Sequence, residues 1–314
     1  MKSKLIAVAA IASTLTLGLG GCGSSSGSSA GSSGSGGTVA SQMIFGGPPE
    51  FKTRTDGIPG LEKSYGVRFG KYTVTDTGGP VTVNALKRGQ VDAVDLFTTD
   101  PAIKANGFVI LKDPKSNFAA QNIVPIVNKA KATAGVKEVL DGISAKLTTE
   151  SLGTLIGEVA NDKLDPAAVA KGWLSDNGLD STGSTAKGAS LTVGSANFPE
   201  NVILANIYAE ALQAQGATIK TKLNIGSREK YYPALKSGSL DVFPEYTGTI
   251  LTFIDKQATA TSPEDVYAAL GKALPSNLVA LTQSEAQDSD AVVVTKQTAQ
   301  KYKLSTIADL AKKN

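Results

Sequence analysis

Apolar and polar positions alternate along this chain in short blocks that read as strands and helices taken in turn. Met43-Ile44-Phe45, Tyr72-Thr73-Val74, Val91 to Val94 and Phe108 to Leu111 are short apolar runs of strand length. Between them Asp56 to Tyr65, with Pro59 allowed in its first turn, and Val81 to Lys87 have the spacing of short helices. Ile123 to Val127 is an extended apolar run that could cross between two halves of the molecule, and residues from Val136 to Leu174 read as two or three helices. Leu179 to Gly188 is rich in Gly, Ser and Thr and reads as a linker. The alternation then resumes with strands at Leu191-Thr192-Val193, Ile219 to Leu223, Leu240 to Phe243 and Ala291 to Val294. A helix with Asn197 as its cap, Pro199 near its first turn and Gly216 as its stop would bury Ile203, Ile207 and Leu212. Further helices are expected over Arg228 to Lys236, after Ser262, over Thr298 to Lys301 and over Thr306 to Lys312.

One phrase occurs twice. Ala85-Leu86-Lys87-Arg88-Gly89-Gln90-Val91-Asp92 recurs as Ala234-Leu235-Lys236-Ser237-Gly238-Ser239-Leu240-Asp241. Five residues beyond each Asp stands an aromatic followed by Thr, Phe97-Thr98 and Tyr246-Thr247. Each copy reads as a helix end, a Gly stop, a strand and a loop carrying a ring. Two such units imply two similar α/β lobes, each offering one aromatic from the carboxyl end of a strand, the edge at which open α/β sheets hold ligands.

The amino terminus changes the picture by adding an address. Lys2 and Lys4 precede an apolar stretch, Leu5 to Leu19, of signal-peptide length, and the stretch ends in Leu19-Gly20-Gly21-Cys22. Small residues before a Cys at this place resemble a bacterial lipobox, which would make 1–21 a lipoprotein signal peptide and Cys22 the lipidated residue. An ordinary secretory signal with an incidental Cys is the alternative. Residues 22–37 then form a Ser/Gly tether with no core of its own. Without the two signal lysines, 29 of the 31 basic residues face 28 acidic ones, and no basic stripe argues for nucleic acid. The chain has no His, a single Cys, no phosphate loop and no nucleophile elbow, so neither an enzyme, a cofactor nor a metal site is expected.

The resemblance becomes specific at Asp241-Val242-Phe243-Pro244-Glu245-Tyr246-Thr247-Gly248-Thr249, at Gly194-Ser195-Ala196-Asn197-Phe198, and at Pro49-Glu50-Phe51 with Arg54, Asp56-Gly57 and Pro59-Gly60. These are similar to the motifs of substrate-binding lipoproteins of osmoprotectant ABC importers, which bind glycine betaine, choline, carnitine and similar quaternary amines. The resemblance implies an α/β, two-lobed periplasmic-binding-protein-like fold of type II with the ligand in the inter-lobe cleft. It also implies ABC permease subunits as partners, a place at the cell membrane facing outward, and no covalent chemistry. A split lobe, 38–129 plus 291–314, and a continuous lobe, 130–290, are expected. The segments stand in exchanged order relative to the family, as in a circular permutant whose linker, 179–190, joins the family's usual termini.

By position in the motifs, Tyr246 and Phe97 correspond to cage aromatics, and Arg54 and Thr249 to carboxylate-binding residues. Ser195 and Asn197 belong to the motif that opens the family domain. A quaternary ammonium has no N–H to donate, so recognition rests on aromatic faces. Three positions depart from the pattern: Ala196 stands where some members have Lys, Gln121 where a cage Tyr is often found, and Asp290 at or next to another. Asp288 or Asp290 could replace a ring by direct charge, which suits a cation without a carboxylate. The plainer readings are a core role for Phe97 and a surface role for Arg54. Other open readings are an importer component for a different polar ligand, such as an amino acid, and a sensor lipoprotein without transport.

Overall fold

The computed structural model describes residues 37–313, so the readings for residues 1–36, including Cys22, lie outside the described residues. The chain first builds β1 (Ile44–Gly47), α1 (Ile58–Tyr65), β2 (Lys71–Val74), α2 (Pro80–Lys87), β3 (Ala93–Phe97), α3 (Pro101–Asn106) and β4 (Val109–Ile110). It then crosses to β5 (Ile123–Asn128), followed by α4 (Ala134–Ser144), α5 (Thr149–Ala160) and α6 (Pro166–Asp176). After the loop come β6 (Ser190–Gly194), α7 (Pro199–Ala214), β7 (Thr218–Lys222), α8 (Arg228–Ser237), β8 (Val242–Tyr246), α9 (Thr247–Ile254), α10 (Pro263–Ala273) and β9 (Leu278–Ala280). The chain returns through β10 (Asp290–Val294) and ends in α11 (Lys296–Tyr302) and a 3-10 turn, Ile307–Ala311.

These strands form two five-stranded sheets, ordered β2-β1-β3-β10-β4 and β7-β6-β8-β5-β9. In the first, β1 runs parallel to β2 and β3, whereas β10 is antiparallel to β3 and β4. In the second, β6 runs parallel to β7 and β8, whereas β5 is antiparallel to β8 and β9. The two sheets therefore share one order and one pattern of directions, and each receives its antiparallel strand from a segment that crosses over. This is the α/β, two-lobed, type II arrangement. Helices cover both faces of each sheet, so central strands such as β8 are buried along their whole length. One face of the first sheet packs Phe45, Phe51 and Leu61, and the other Leu86, Val94 and Val293. The second sheet is sandwiched by clusters containing Trp173 and Tyr208 on one side and Tyr232 and Phe243 on the other.

The repeated phrase has the same structure twice. Gly89 and Gly238 adopt left-handed φ of 67° and 75° after α2 and α8. Amides Gln90 N–H and Ser239 N–H close the turns on the Ala85 and Ala234 carbonyls, each at 2.9 Å. The repeated acids are clamps between strands. Asp92 Oδ2 accepts Ile44 N–H at 2.8 Å at the start of β1, and Asp241 Oδ2 accepts Thr192 N–H at 2.8 Å in β6. Each acid's own amide returns a bond to the carbonyl of the same residue. The phrase thus recurs because each lobe needs the same stop and the same clamp.

Two expectations are corrected. A boundary at 129/130 would place Ile123–Asn128 in the split lobe, but β5 pairs with β8 in the other sheet, Ile123 facing Tyr246 and Val127 facing Val242. The crossing therefore precedes residue 123. The second concerns α7. Its cap is Phe198, without a side-chain bond, because Pro199 at the first turn leaves Asn197 one residue too early. The chain ends of the domain meet: Thr38 bridges Lys313, and Val39 N–H donates to the Lys312 carbonyl at 2.9 Å.

Candidate functional site

The two crossing segments run side by side. Asn122 bridges Gln287, and Asp288 N–H donates to the Gln121 carbonyl at 3.2 Å. Thr98, just past β3, ties this pair to the first sheet, donating its hydroxyl to the Gln287 carbonyl at 2.7 Å and accepting Ser289 N–H at 3.0 Å. Two extended segments held this way have the form of a hinge between the lobes. Over them, at the carboxyl ends of β3 and β8, lies a cavity of about 380 Å³.

Seven expected residues line this cavity: Tyr246, Phe97, Arg54, Thr249, Gln121, Asp288 and Asp290. Two do not. Ser195 is fully buried in the turn after β6, where its hydroxyl donates to the Ala196 carbonyl and accepts Asn224 N–H at 2.9 Å. Asn197 is exposed and away from the cavity. In its place Asn201 holds the turn, accepting Ala196 N–H at 2.7 Å and donating to the Pro244 carbonyl at 2.8 Å. Gln121 acts through the hinge, its Oε1 accepting Thr249 N–H at 2.9 Å at the start of α9.

The apolar surface of the cavity comes from both lobes. Phe97 extends from the first lobe, 37% exposed. Tyr246 and Phe198 come from the second, with ring centroids 6.0 Å apart. Phe198 was missed as a contact residue, although it stands in one of the motifs. Tyr246 is only 7% exposed, and its hydroxyl has no well-formed hydrogen bond. Burial and the neighbouring charges of Glu200 and Asp288 hold its pKa well above the usual phenol value.

Two arginines reach the cavity and both are already paired. Arg54 bonds Asp56 at 2.5 Å and Asp290 at 2.8 Å, with its guanidinium 5.2 Å from the Phe51 ring centroid. Arg228, the first residue of α8, makes a fork to Glu245, with Nε–Oε1 at 3.1 Å and Nη2–Oε2 at 2.8 Å, and donates to Thr249 Oγ1 at 3.1 Å. Tyr231 completes the group by donating to Glu245 Oε1 at 2.8 Å. The carboxylates are in excess: Glu50, Asp56, Asp95, Asp288 and Asp290 all line the cavity, and no Lys does.

Several of these acids are driven toward the neutral form. Burial and the charges of Asp290 and Asp56, opposed by the charge of Arg54, push Asp95 up to about 8. Burial and the charge of Asp288 push Glu200, at the start of α7, up to about 8. Asp288 itself is raised by burial, although the Thr99 hydroxyl donates to it at 2.7 Å. No motif announces Asp95 or Glu200, because their burial is made by strands and helices distant in sequence.

A cleft of this size between two hinged lobes, with aromatic rings and charges from both, defines a small-solute binding protein. The model for the substrate-binding domain of ABC-type glycine betaine transport systems matches residues 37–176 and 189–314, and the chain belongs to that family. It is 28% identical over 152 residues to a glycine-betaine-binding protein of Pseudomonas aeruginosa, covering 48% of this chain and 49% of that one. It is 30% identical over 124 residues to a glycine betaine-binding protein of Escherichia coli, covering 38% and 41%. An ergothioneine transport permease/binding protein of Helicobacter pylori is 28% identical over 137 residues, covering 43% and 24%. The chain thus matches half or less of the length of each of these relatives. Among solved structures, the second substrate-binding domain of a putative amino acid ABC transporter from Streptococcus pneumoniae is 14% identical, covering 85% of this chain and 89% of that one, with a TM-score of 0.42.

Proposed function

We propose that this protein is the extracytoplasmic, lipid-anchored solute-binding component of an ABC importer, and that it captures a small quaternary-ammonium solute by closing its lobes around it. The observation that carries the reading is the cavity wall: Phe97, Phe198 and Tyr246 offer ring faces, and acids outnumber arginines. Each ring face contributes roughly 0.5–2 kcal/mol to a cation, more when water is excluded. Because Arg54 and Arg228 are held by Asp56, Asp290 and Glu245, a solute carboxylate meets no unpaired cation. The charge set therefore favours choline over glycine betaine. Cys22 would carry the anchor, and permease subunits would take the loaded protein as partners.

A thermal-shift series with choline, glycine betaine, carnitine, proline and ectoine tests this. A ligand at a hundred times its Kd adds about 2.7 kcal/mol of apparent stability. Choline is expected to give the largest shift. A shift with proline and none with any quaternary amine at millimolar concentration sinks the reading.

The exchanged order of the segments is part of the proposal. It is supported by a family match in two segments that flank residues 177–188, and by the pairing of Thr38 with Lys313. A chain re-cut to begin at residue 189, with residue 313 joined to residue 38 and the old linker opened, is expected to fold and bind as the original does, since it keeps both sheets. Loss of cooperative unfolding in the re-cut chain would count against it.

A further inference from the structure

Asp95 lies on β3 and Asp290 on the neighbouring antiparallel strand β10, where Phe97 faces Asp290 and Asp95 faces Val292. The two acids are therefore diagonal neighbours on one face of the sheet. Asp95 is 4% exposed and lines the cavity. Its side chain lies beside that of Asp290, whose charge opposes its ionisation, while its Oδ1 has no hydrogen-bond partner. Two carboxyl groups can share a hydrogen bond only if one of them keeps a proton. Asp290 is also the acid that holds Arg54, so the proton resides on Asp95.

We propose that Asp95 and Asp290 share one proton in the ligand-free cleft and release it when a cation enters, which makes Asp95 a specificity-determining residue that reads the ligand's charge. The proposal rests on the binding function inferred above and adds a residue and a proton to it. The step is simple: the O–H bond of Asp95 breaks, its proton passes to solvent or buffer, and the carboxylate left behind pairs electrostatically with the cation. A zwitterion brings its own negative charge and gains less from this exchange.

The surroundings agree. Arg54 and Asp56 face the pair from the segment after Phe51, and Tyr72 on β2 senses both Asp95 and Glu50. Asp288 faces Asp290 from the hinge. Arg228 lines the same cavity from the other lobe, but Glu245 neutralises it. Among these groups Arg54 is the cation nearest the pair, and Asp56 and Asp290 already share its charge. A second positive charge is what the ionised pair lacks.

The sign follows from linkage. Asp95 is protonated in the free protein up to about 8. A cation lowers that midpoint, so its affinity rises with pH, by up to about tenfold per unit, and levels off above it. In the ligand-free protein the raised pKa works the other way. Between the unfolded value near 4 and about 8 the folded state holds a proton that the unfolded chain has lost, so stability falls as pH rises through that window. Glu200 contributes a slope of the same sign, so the difference between the wild type and Asp95→Asn isolates Asp95.

The test has two arms. Carboxyl-carbon NMR of the ligand-free protein should show one aspartate titrating far above the rest, and Asp95→Asn should remove it. Aspartates that all titrate below about 5 overturn the acid pair without touching the binding function. Calorimetric titration with choline in two buffers of different ionisation enthalpy should show close to one proton released near pH 7, and almost none from Asp95→Asn. Choline binding with no buffer dependence overturns the proposal while leaving the binding function standing. Failure of every quaternary amine to bind overturns both.

Discussion

Replacing Arg228 by Ala is expected to destabilise the protein by about 3–5 kcal/mol, because it strands a charge in the interior. Glu245 is fully buried near the carboxyl end of β8, and its two oxygens receive the Arg228 fork. What would remain is one bond from the Tyr231 hydroxyl at 2.8 Å and one from Tyr246 N–H at 3.1 Å. Those dipoles solvate the carboxylate but do not neutralise it. Burial by itself would lower the pKa of Arg228, and the bonds and charge of Glu245 more than reverse this, which shows how tightly each ion depends on the other. In a domain of this size the loss corresponds to a fall in Tm on the order of 10 °C. The double variant Arg228→Met, Glu245→Leu should recover most of it, since an apolar pair of similar volume avoids the desolvation cost of both ions. Thermal melts of the single and double variants decide. A single variant that loses less than about 1 kcal/mol would show that water reaches Glu245.

A place on the cavity wall was legible for Arg54 and not for Arg228. Arg54 belongs to a motif with Asp56-Gly57 and Pro59-Gly60, so its neighbourhood can be read along the chain. Arg228 is 17 residues from its partner, at the start of a helix whose cap gives no sign of a buried acid in the next strand.

The lobes were legible for a similar reason. A helix stop, a short strand and a clamping acid are local requirements, and Asp92 and Asp241 had to recur because each lobe's first and third strands need tying together. The assignment of Ile123–Asn128 is of another kind. A wholly buried apolar run carries no mark of which sheet it enters, and its partners Val242 to Tyr246 lie more than a hundred residues onward. Asp95 and Glu200 show the same limit in the site. An acid in a strand or a first helical turn looks solvated until packing shows what has closed over it. That closure is also what gives such acids their raised pKa values.

The second large effect is expected at Tyr246, and it tests the ring directly. Tyr246→Leu keeps an apolar side chain in a site that is almost closed to solvent but removes the π face toward the cavity. The loss of one desolvated cation–π contact, roughly 1–2 kcal/mol, corresponds to a fall of about five- to thirtyfold in affinity for a quaternary amine. Tyr246→Phe keeps the face and deletes a hydroxyl that makes no well-formed bond, so its affinity should stay close to that of the wild type. The contrast matters because the hydroxyl sits beside Glu200 and Asp288, and a ligand held by that polar corner would respond in the opposite way. Arg54→Ala supplies the third comparison. Since Arg54 is engaged by Asp56 and Asp290, its loss should leave choline affinity unchanged or raised, the acids then being free for the cation. Glycine betaine should lose affinity relative to choline, because the one arginine left in the cavity, Arg228, is already neutralised by Glu245 and offers its carboxylate little. Isothermal titration of the three variants with both solutes reads all of this. Equal losses for Tyr246→Phe and Tyr246→Leu would assign recognition to the hydroxyl and remove the aromatic cage from the mechanism.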